Sequence, residues 1–459
     1  MLEQLRIRNF KAWRDTHDIR LAPLTVFFGT NSSGKTSLTQ LLLLIKQTAA
    51  SPDRRRVLHL GDQDSLVDLG TFSTLIFNHD TAQPLQFEFT WSRLPQSPAL
   101  KDPYHNVTFE GRSVNFEAVI KEHPTHEMSV ERLTYKLNGS CPFSVGLARS
   151  EKKRNEYRFE ASNFNPVRRV GRKWPLPSPI RFYGFPDEAV AYFQNAGLVA
   201  DLALELEQVL SSICYVGPLR EYPHPTYVWS GEVPEDVGQR GERAIHALLA
   251  AKNRELNRGP RTRYQLFEKV IARWLKQMGL IHSFQTKPIG KGRKEYEVLV
   301  KTTSQSAEVR LPDVGFGVSQ ILPVLVQCFY AEPNSILIYE QPEIHLHPRV
   351  QADLADVFVE ALASREDGQT RDIQIIVESH SEHFLRRLQR RIAERTIERD
   401  QVALYFCEMV GGQAVIRELE VDLFGRIQDW PDGFFGDMIG DTEHQMRAML
   451  DRKRNSNRE

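Results

Sequence analysis

The chain has 459 residues, of which 41% are hydrophobic and 26% are charged. This length predicts two or three domains, and this composition excludes a disordered or fibrous protein. Lysine plus arginine and aspartate plus glutamate each number 59. A basic surface covering the whole protein is therefore excluded, and any nucleic-acid-binding site must be a local patch.

The cysteines and the hydrophobic pattern predict a cytoplasmic protein. Four cysteines are far apart in the chain and lie mostly in apolar surroundings, which is typical of reduced core residues. Residues 1–8 contain no long apolar run, and no stretch approaches the length of a membrane span. We expect no association with a membrane.

The first functional signal is a phosphate-binding loop within residues 24–40. Gly29 to Thr36 match the pattern G-x-x-x-x-G-K-[ST] in full. The preceding residues 25–28 predict a buried strand, and residues 36–45 predict a helix. Glycines let successive backbone N–H groups point inward, and the positive end of the helix lies beneath the same phosphates. A chance glycine-rich turn is the alternative, and the flanking strand and helix argue against it.

This motif assigns chemistry to individual side chains. Lys35 is expected to neutralise the β- and γ-phosphates of ATP, and the Thr36 hydroxyl is expected to ligate Mg²⁺. The predicted ATP-binding residues are Gly29, Asn31, Ser32, Ser33, Gly34, Lys35, Thr36 and Ser37.

Two later apolar strands end in polar residues. Residues 335–340 form a strand that ends in Glu340, and a carboxylate at the carboxyl end of a strand beside the phosphate-loop strand is suited to bind Mg²⁺. Residues 373–377 predict another buried strand, and we expect His380 after it to sense the γ-phosphate. A metal site formed by His345, His347, His380 and His383 is the alternative, but their spacing matches no established ligand pattern.

A second anion-binding helix start is predicted shortly before these strands. Glycines precede a Ser-Gln sequence at residues 315–320, where the helix N-terminus can bind an anion. The predicted contact residues are Gly315, Gly317, Ser319 and Gln320. An ordinary helix N-cap explains the same pattern equally well.

The middle of the chain predicts antiparallel β-structure over residues 106–164, followed by helices over 187–212, 242–256 and 264–278. Residues 149–173 contain nine lysines or arginines and three glutamates, interleaved with Tyr157, Phe159, Phe164 and Trp174. This combination is typical of a nucleic-acid or partner surface. A solvated charged loop is the alternative interpretation.

Taken together, these motifs resemble the ABC-type ATPase heads, most closely those related to the SMC, RecF and OLD-type proteins. The resemblance covers roughly residues 1–95 and 300–415. It implies an α/β P-loop NTPase head with a mixed sheet, flanking helices and an antiparallel β lobe. We therefore divide the chain into an N-terminal head part (1–95), an inserted β/α region (96–300) and a C-terminal head part (301–415). The fourth segment (416–459) resembles, through residues 429–436, a small domain of unknown function found on bacterial defence ATPases.

The resemblance also implies a homodimer or higher oligomer, arranged head-to-tail. ATP would lie between the phosphate loop of one subunit and the Gly315–Gln320 helix start of the other. This chain departs from the family where a carboxylate normally follows the magnesium ligand, because that position is Gln341, whose amide cannot accept a proton. Either Glu343 or Glu340 then orients the attacking water, or hydrolysis is slow and ATP acts mainly as a clamp. An engineered substitution at this position is a further alternative.

OLD-type nucleases continue into a Toprim domain, for which the 79 residues after His380 are too few. We therefore expect a slow ATPase that acts as the sensor or regulatory scaffold of a bacterial defence system and controls a separate nuclease or toxin. The competing hypothesis is a RecF-like or SMC-like DNA-binding ATPase in repair or recombination. A nucleotide-dependent dimerisation module is a third option.

Overall fold

The computed structural model describes residues 1–94, 96–150, 156–171, 174–259, 262–428, 430 and 445–449. Its helices are α1 (Lys35–Ala50), α2 (Phe72–Leu75), α3 (Asp187–Tyr192), α4 (Gly197–Ser211), α5 (Ala244–Ala250), α6 (Phe267–Gln277), α7 (Phe316–Tyr330), α8 (Pro348–Ala363) and α9 (Glu382–Ala393).

The strands are β1 (Leu2–Phe10), β2 (Trp13–Asp15), β3 (Ile19–Arg20), β4 (Leu24–Gly29), β5 (Leu85–Ser92), β6 (Leu100–Asp102), β7 (Val107–Phe109), β8 (Ser113–Glu122), β9 (Met128–Asn138), β10 (Phe143–Arg149), β11 (Tyr157–Ser162), β12 (Ile213–Val216), β13 (Tyr227–Val228), β14 (Glu255–Leu256), β15 (Gln265–Leu266), β16 (Ser283–Pro288), β17 (Glu295–Lys301), β18 (Val309–Arg310), β19 (Ile336–Glu340), β20 (Arg365–Glu366), β21 (Gln369–Thr370), β22 (Gln374–Glu378), β23 (Val402–Val410) and β24 (Gln413–Glu418).

A six-stranded sheet contains the phosphate-loop strand β4. Its order is β12–β19–β22–β4–β23–β24, and the first five of these strands run parallel. Both faces are buried, since Val26 and Phe28 belong to one core and Phe27 belongs to the other. This explains why β4, β19 and β22 are continuous apolar runs. The five parallel strands end at one side of the sheet, which we call the carboxyl edge.

Helices cover both faces of this sheet. Apolar side chains of α1 and α4 lie in the core on one face, and those of α5 to α9 lie in the core on the other. Within the second layer, α8 packs against α9 and α7 packs against α8. Each helix thereby buries its apolar stripe, as the layered architecture of α/β proteins requires.

An eight-stranded antiparallel sheet shares the core of α1 and α4. Its order is β11–β10–β9–β8–β5–β1–β2, with β3 also paired to β1. Alternation along β5 turns Phe87, Phe89 and Trp91 into the core, where they contact Phe116 and Tyr135. These sheets confirm the predicted α/β fold with a mixed sheet, flanking helices and an antiparallel lobe.

The predicted boundaries need correction where strands pair across them. β5 pairs with β8 over its whole length, so the sheet continues across residue 95. β12 lies inside the predicted insertion, yet it pairs with β19 in the parallel sheet. Strands β8 to β12 of residues 96–300 therefore belong to these two sheets, whereas β13, β16 and β17 form a separate four-stranded sheet with β18. Long-range strand pairing of this kind leaves no signal in the order of the motifs.

The C-terminal segment falls largely outside the described residues. Of the tail motif at 429–436, only Trp430 belongs to the described part. The start of the predicted segment forms the end of β24, which completes the parallel sheet beside β23. Residues 416–418 therefore belong structurally to the head.

Two of the aromatic residues of the basic segment face the core, whereas Trp174 is exposed. Tyr157 and Phe164 are buried, because β11 turns Tyr157 inward and Phe164 packs against Phe109 and Phe143. The basic residues Lys152, Lys153, Arg154, Arg172 and Lys173 lie outside the described residues. Tyr157 and Phe164 are thus not available for base stacking, and the choice between a nucleic-acid or partner surface and a solvated loop stays open.

Two further expectations concern thiols and membranes. All four cysteines are free thiols, and Cys214, Cys328 and Cys407 are buried as predicted, whereas Cys141 is half-buried. Among the described residues, no helix combines the length and apolar character that a membrane-spanning segment needs.

Candidate nucleotide-binding site

The phosphate loop lies at the carboxyl edge of the parallel sheet. β4 ends at Gly29, residues 30–34 form the loop, and α1 begins at Lys35. The predicted strand–loop–helix arrangement is confirmed, and the helix continues past the predicted residue 45 to Ala50.

Two glycines of the loop adopt backbone conformations that other residues avoid. Gly29 has φ 146° and Gly34 has φ 85°. A Cβ atom on Gly29 would lie 2.1 Å from the carbonyl oxygen of Cys407, and one on Gly34 would lie 3.1 Å from the Trp13 ring. The Trp13 indole N–H also donates to the Gly34 carbonyl at 3.0 Å. A side chain at either glycine would therefore displace the loop.

Lys35 is buried beneath this loop. Its Nζ donates to the carbonyl oxygens of Gly29 at 3.1 Å and Thr30 at 2.6 Å, and to Ser33 Oγ at 3.3 Å. Burial lowers the pKa of Lys35, and the charge of Glu378 opposes that shift. The ammonium group is thus held on the concave side of the loop, where phosphate oxygens can replace its present acceptors.

Thr36 contacts a carboxylate that the sequence analysis did not select. The Thr36 hydroxyl donates to Glu378 Oε1 at 3.0 Å, and Glu378 is the last residue of β22. β22 is the direct neighbour of β4, whereas β19 with Glu340 lies one strand further away. The expectation that the Glu340 strand adjoins the phosphate-loop strand is therefore wrong, because β22 pairs between them.

Glu340 and Glu378 nevertheless lie side by side at the carboxyl edge. They are register partners of β19 and β22, and the Tyr215 hydroxyl donates to Glu340 Oε2 at 2.7 Å. Burial and the charge of Glu340 raise the pKa of Glu378 to about 7, and burial also raises the pKa of Glu340. Neighbouring carboxylates beside the Thr36 hydroxyl make an oxygen-rich cluster of the kind that Mg²⁺ prefers.

Glu343 is a third carboxylate at this edge, and like Glu378 it is buried. Its Oε1 accepts from Ser379 Oγ at 2.8 Å and from the backbone N–H of His380 at 2.6 Å. Its Oε2 is buried and has no hydrogen-bond partner among the described residues. Burial raises the pKa of Glu343. One carboxylate oxygen is thus fixed in place, and the other remains available to a bound group.

Gln341 forms the turn that places Glu343. Its φ of 44° is unusual for a residue other than glycine, and its N–H donates to the carbonyl oxygen of Glu378 at 2.9 Å. The N–H of Ile344 in turn donates to the Gln341 carbonyl at 3.1 Å. The chain therefore bends directly after β19 and returns Glu343 to the end of β22.

His380 lies beside the phosphate loop and is half-buried. Burial and the positive charge of Lys35 lower the pKa of His380, while its interaction with the Gly29 backbone acts in the opposite direction. The imidazole is therefore close to the charge that would meet the phosphates. Its predicted role as a sensor of the γ-phosphate stays a prediction.

The second helix start is only partly exposed. α7 begins at Phe316 with Gly315 as its N-cap, and both residues are exposed, with Gly317 half-buried. Ser319 and Gln320 are buried, and the Ser319 hydroxyl donates to the Phe316 carbonyl at 2.8 Å. The backbone near Gly315 and Gly317 can therefore reach another molecule in this conformation, whereas the other two predicted contacts face the core.

The histidines of the alternative metal site have separate surroundings. The His345 ring packs edge-on against Phe316, and His347 caps α8 by accepting the Arg349 N–H at 3.3 Å. Within the described ranges, no group of three His, Cys, Asp or Glu side chains is arranged to hold a metal by itself. Any metal at the carboxyl edge thus needs further oxygens from a ligand such as a nucleotide.

The residues of the carboxyl edge fit a magnesium nucleotide. The glycine-lined loop and Lys35 would form the phosphate-binding side, and Thr36, Glu340 and Glu378 would supply oxygens to the metal. The buried Oε2 atoms of Glu343 and Glu378 have no hydrogen-bond partner in the described part of the chain. Buried polar atoms without partners are rare, and a bound ligand with its water would satisfy them.

Sequence reasoning missed two residues of this cluster. Glu378 ends an apolar strand just as Glu340 does, so the same strand-end argument could have found it. Tyr215 carries no such signal, because its contact with Glu340 depends on the pairing of β12 with β19.

Comparison with known proteins identifies two matching families. A model described as an AAA ATPase domain matches residues 1–136 and 247–385, more than half of the chain. A model described as a protein of unknown function (DUF3696) matches residues 397–445. No curated protein matches the chain significantly.

Several solved structures are similar to the chain at low sequence identity. An Smc head bound to the C-terminal winged-helix domain of ScpA is 10% identical, with a TM-score of 0.46 over 92% of this chain and 98% of that one. The SMC head domain from Thermotoga maritima is 12% identical, with a TM-score of 0.41 over 92% and 99%. An Smc head with an extended coiled coil, bound to the C-terminal domain of ScpA from Pyrococcus furiosus, is 11% identical, with a TM-score of 0.44 over 91% and 96%.

Proposed function

The chain belongs to the AAA ATPase domain family, and from this premise we propose that it binds ATP with Mg²⁺ at the carboxyl edge and hydrolyses it slowly. The observation that carries the proposal is the hydrogen bond between Thr36 and Glu378. It joins the phosphate-loop helix to the row of buried carboxylates, so that phosphate and metal ligands meet in one place.

Each residue of the site has a distinct task in this proposal. The loop N–H groups and Lys35 bind the β- and γ-phosphates, and Thr36, Glu340 and Glu378 hold the metal directly or through water. Mg²⁺, when bound, supplies positive charge that neutralises the phosphates. Lys35 and Glu378 are buried, which strengthens their electrostatic interactions.

We assign the orientation of the attacking water to Glu343. Gln341 occupies the position where a carboxylate is expected, but its neutral amide cannot take a proton. Glu343 has one oxygen fixed by Ser379 and His380 and a second, Oε2, without a partner among the described residues. A carboxylate held in this way can accept a hydrogen bond from water. We expect slow turnover because this carboxylate lies three residues after Glu340, whereas the position directly after Glu340 is occupied by the neutral Gln341.

Two substitutions test the assignment. Glu343→Gln keeps an oxygen for Ser379 and His380 but removes the charge, so we expect kcat for ATP to fall about 100-fold while ATP affinity is retained. Gln341→Glu serves as the matched variant, and we expect it not to raise kcat. Steady-state phosphate release together with calorimetric ATP binding measures both. Wild-type turnover in Glu343→Gln, or a clear gain in Gln341→Glu, would contradict the assignment.

We also propose that two copies assemble head-to-tail around ATP. The exposed α7 start with Gly315 and half-buried Gly317 supports this, because its backbone N–H groups can meet a phosphate of a second subunit. The exposed Phe316 would then lie in the interface. Light scattering of Glu343→Gln should show an ATP-dependent doubling of mass that Phe316→Asp removes without preventing ATP binding. A mass that does not respond to ATP would count against the dimer.

The cellular role we propose is that of a sensor or regulatory scaffold in a bacterial defence system, controlling a separate nuclease or toxin. Support comes from the resemblance of the motifs at both ends of the chain and from the C-terminal match to a family of unknown function. The test co-purifies the chain with the product of the neighbouring gene. It compares the wild type in the presence of ATP with the Lys35→Ala variant. If the effector activity responds neither to ATP nor to the Lys35→Ala substitution, the regulatory role is contradicted.

A further inference from the structure

Arg220 is a buried arginine that the proposed function has not used. It is only 8% exposed, and its Nε, Nη1 and Nη2 atoms have no hydrogen-bond partner among the described residues. Burial lowers the pKa of Arg220 to about 10, so the group is still charged at neutral pH. An unpartnered charged group in the interior is unfavourable and requires a reason.

Arg220 lies on the segment that leaves β12 at the carboxyl edge. β12 ends at Val216, which is in register with Tyr339 of β19, one residue before Glu340. Glu343 is the carboxylate whose negative charge stabilises the protonated form of Arg220. Tyr215 of the same strand donates to Glu340. The β12 strand and the residues after it therefore supply partners for two carboxylates of the site.

Arg220 and the phosphate loop follow strands that lie apart in the sheet. In the sheet order β12–β19–β22–β4, three strand spacings separate β12 from β4, which amounts to about 14 Å. The charge of Lys35, which follows β4, also interacts with Glu343. The neutral donors Ser379 Oγ and His380 N–H hold Glu343 from the residues after β22. Glu343 thus interacts with positive charges that come from two different strands.

A comparison with a second buried arginine shows what a structural role requires. Arg371 is completely buried, but its guanidinium donates to the carbonyl oxygens of Cys328 and Ala331 and to Ser364 Oγ. These hydrogen bonds connect Ser364, which follows α8, to Cys328 of α7 and to Ala331 just after α7. None of them reaches the site. Arg220 makes no such bond to the described chain, so its burial is not explained by cohesion of the fold.

We propose that Arg220 is a positioning residue for ATP hydrolysis. Its guanidinium keeps Glu343 ionised and directs the free Oε2 atom toward the attacking water, without touching the nucleotide or the metal. Arg220 and Glu343 carry buried atoms of opposite charge that have no hydrogen-bond partner among the described residues. The inference rests on the proposed role of Glu343.

The test compares full-length Arg220→Met, Arg220→Lys and the double variant Arg220→Met/Glu343→Gln with Arg371→Met as the control. We expect Arg220→Met to lower kcat about tenfold with KM and ATP affinity nearly unchanged, and Arg220→Lys to restore most of the loss. The double variant should be no slower than Glu343→Gln alone, because both changes remove the same interaction. Arg371→Met should lower the melting temperature but leave kcat of the folded protein unchanged.

Three outcomes would overturn the inference. The first is a wild-type kcat in Arg220→Met. The second is a kcat that stays low in Arg220→Lys, together with a lower melting temperature of that variant. The third is a double variant in which the losses of kcat from the two single substitutions add. If Arg220→Met does not fold, Arg220→Gln replaces it in the same comparison. Wild-type turnover in Glu343→Gln alone would instead refute the proposed function, so the two failures are distinguishable.

Discussion

Buried carboxylates occur in two regions of the molecule with opposite surroundings. In the antiparallel lobe, Glu205 on α4 accepts from the Trp91 indole at 3.2 Å and from Arg93 Nε at 3.1 Å. At the carboxyl edge of the parallel sheet, Glu343 and Glu378 each retain a buried oxygen without a partner in the described chain. A paired buried charge contributes to the fold, whereas an unpaired one indicates that the site is completed by something else.

The same contrast applies to the backbone. In the antiparallel lobe, strand pairing satisfies the main chain, as in the continuous register of β5 with β8. At the carboxyl edge, the strands end and positive φ angles occur at Gly29, Gly34 and Gln341. These residues lie at the same edge as the buried carboxylate oxygens that have no hydrogen-bond partner among the described residues. Unusual backbone and unpartnered oxygens therefore coincide where the proposed chemistry takes place.

The largest expected effect comes from removing the only cation within the phosphate loop. Lys35→Ala should lower ATP affinity at least about 100-fold, because no charge remains there to oppose the triphosphate. Isothermal titration with Mg-ATP measures the loss. Lys136→Ala, in the antiparallel lobe beside Glu117, is the matched control and should bind ATP normally. Unchanged affinity in Lys35→Ala would refute the site.

A somewhat smaller effect should follow from neutralising the metal-facing carboxylates. We expect Glu378→Gln and Glu340→Ala each to keep much of the ATP binding but to lower magnesium-dependent turnover about 50-fold. Turnover measured against magnesium concentration reports the change. If either variant responds to magnesium as the wild type does, that residue has no part in holding the metal.

The smallest effect is expected in the antiparallel lobe and should be on stability alone. Glu205→Gln leaves the guanidinium of Arg93, which is only 10% exposed, without its negative partner. We expect the free energy of unfolding to fall by about 2 kcal/mol, with kcat of the folded protein unchanged. Urea denaturation and phosphate release measure the two quantities. A loss of turnover without a loss of stability would break the distinction between the two regions.

Local sequence was a good guide where the signal is contained in one short segment. The phosphate loop, its strand and its helix are specified by neighbouring residues, and they were predicted as the structure has them. Glu340 was found for the same reason, since an apolar strand that ends in a carboxylate is a local pattern. The inward orientation of Tyr157 follows from strand alternation but depends on which face is covered, so the sequence alone did not separate its buried rings from its exposed ones.

The sequence by itself determined the α/β fold, the phosphate loop and the identity of most charged residues around it, because propensity, periodicity and glycine placement act over a few residues. Only the tertiary structure decided that β22 separates Glu340 from the loop, that Glu378 meets Thr36, and that Tyr215 donates to Glu340. These contacts depend on pairing between distant parts of the chain, such as β22 with β4 and β12 with β19, and this pairing is selected by burial of the whole sheet.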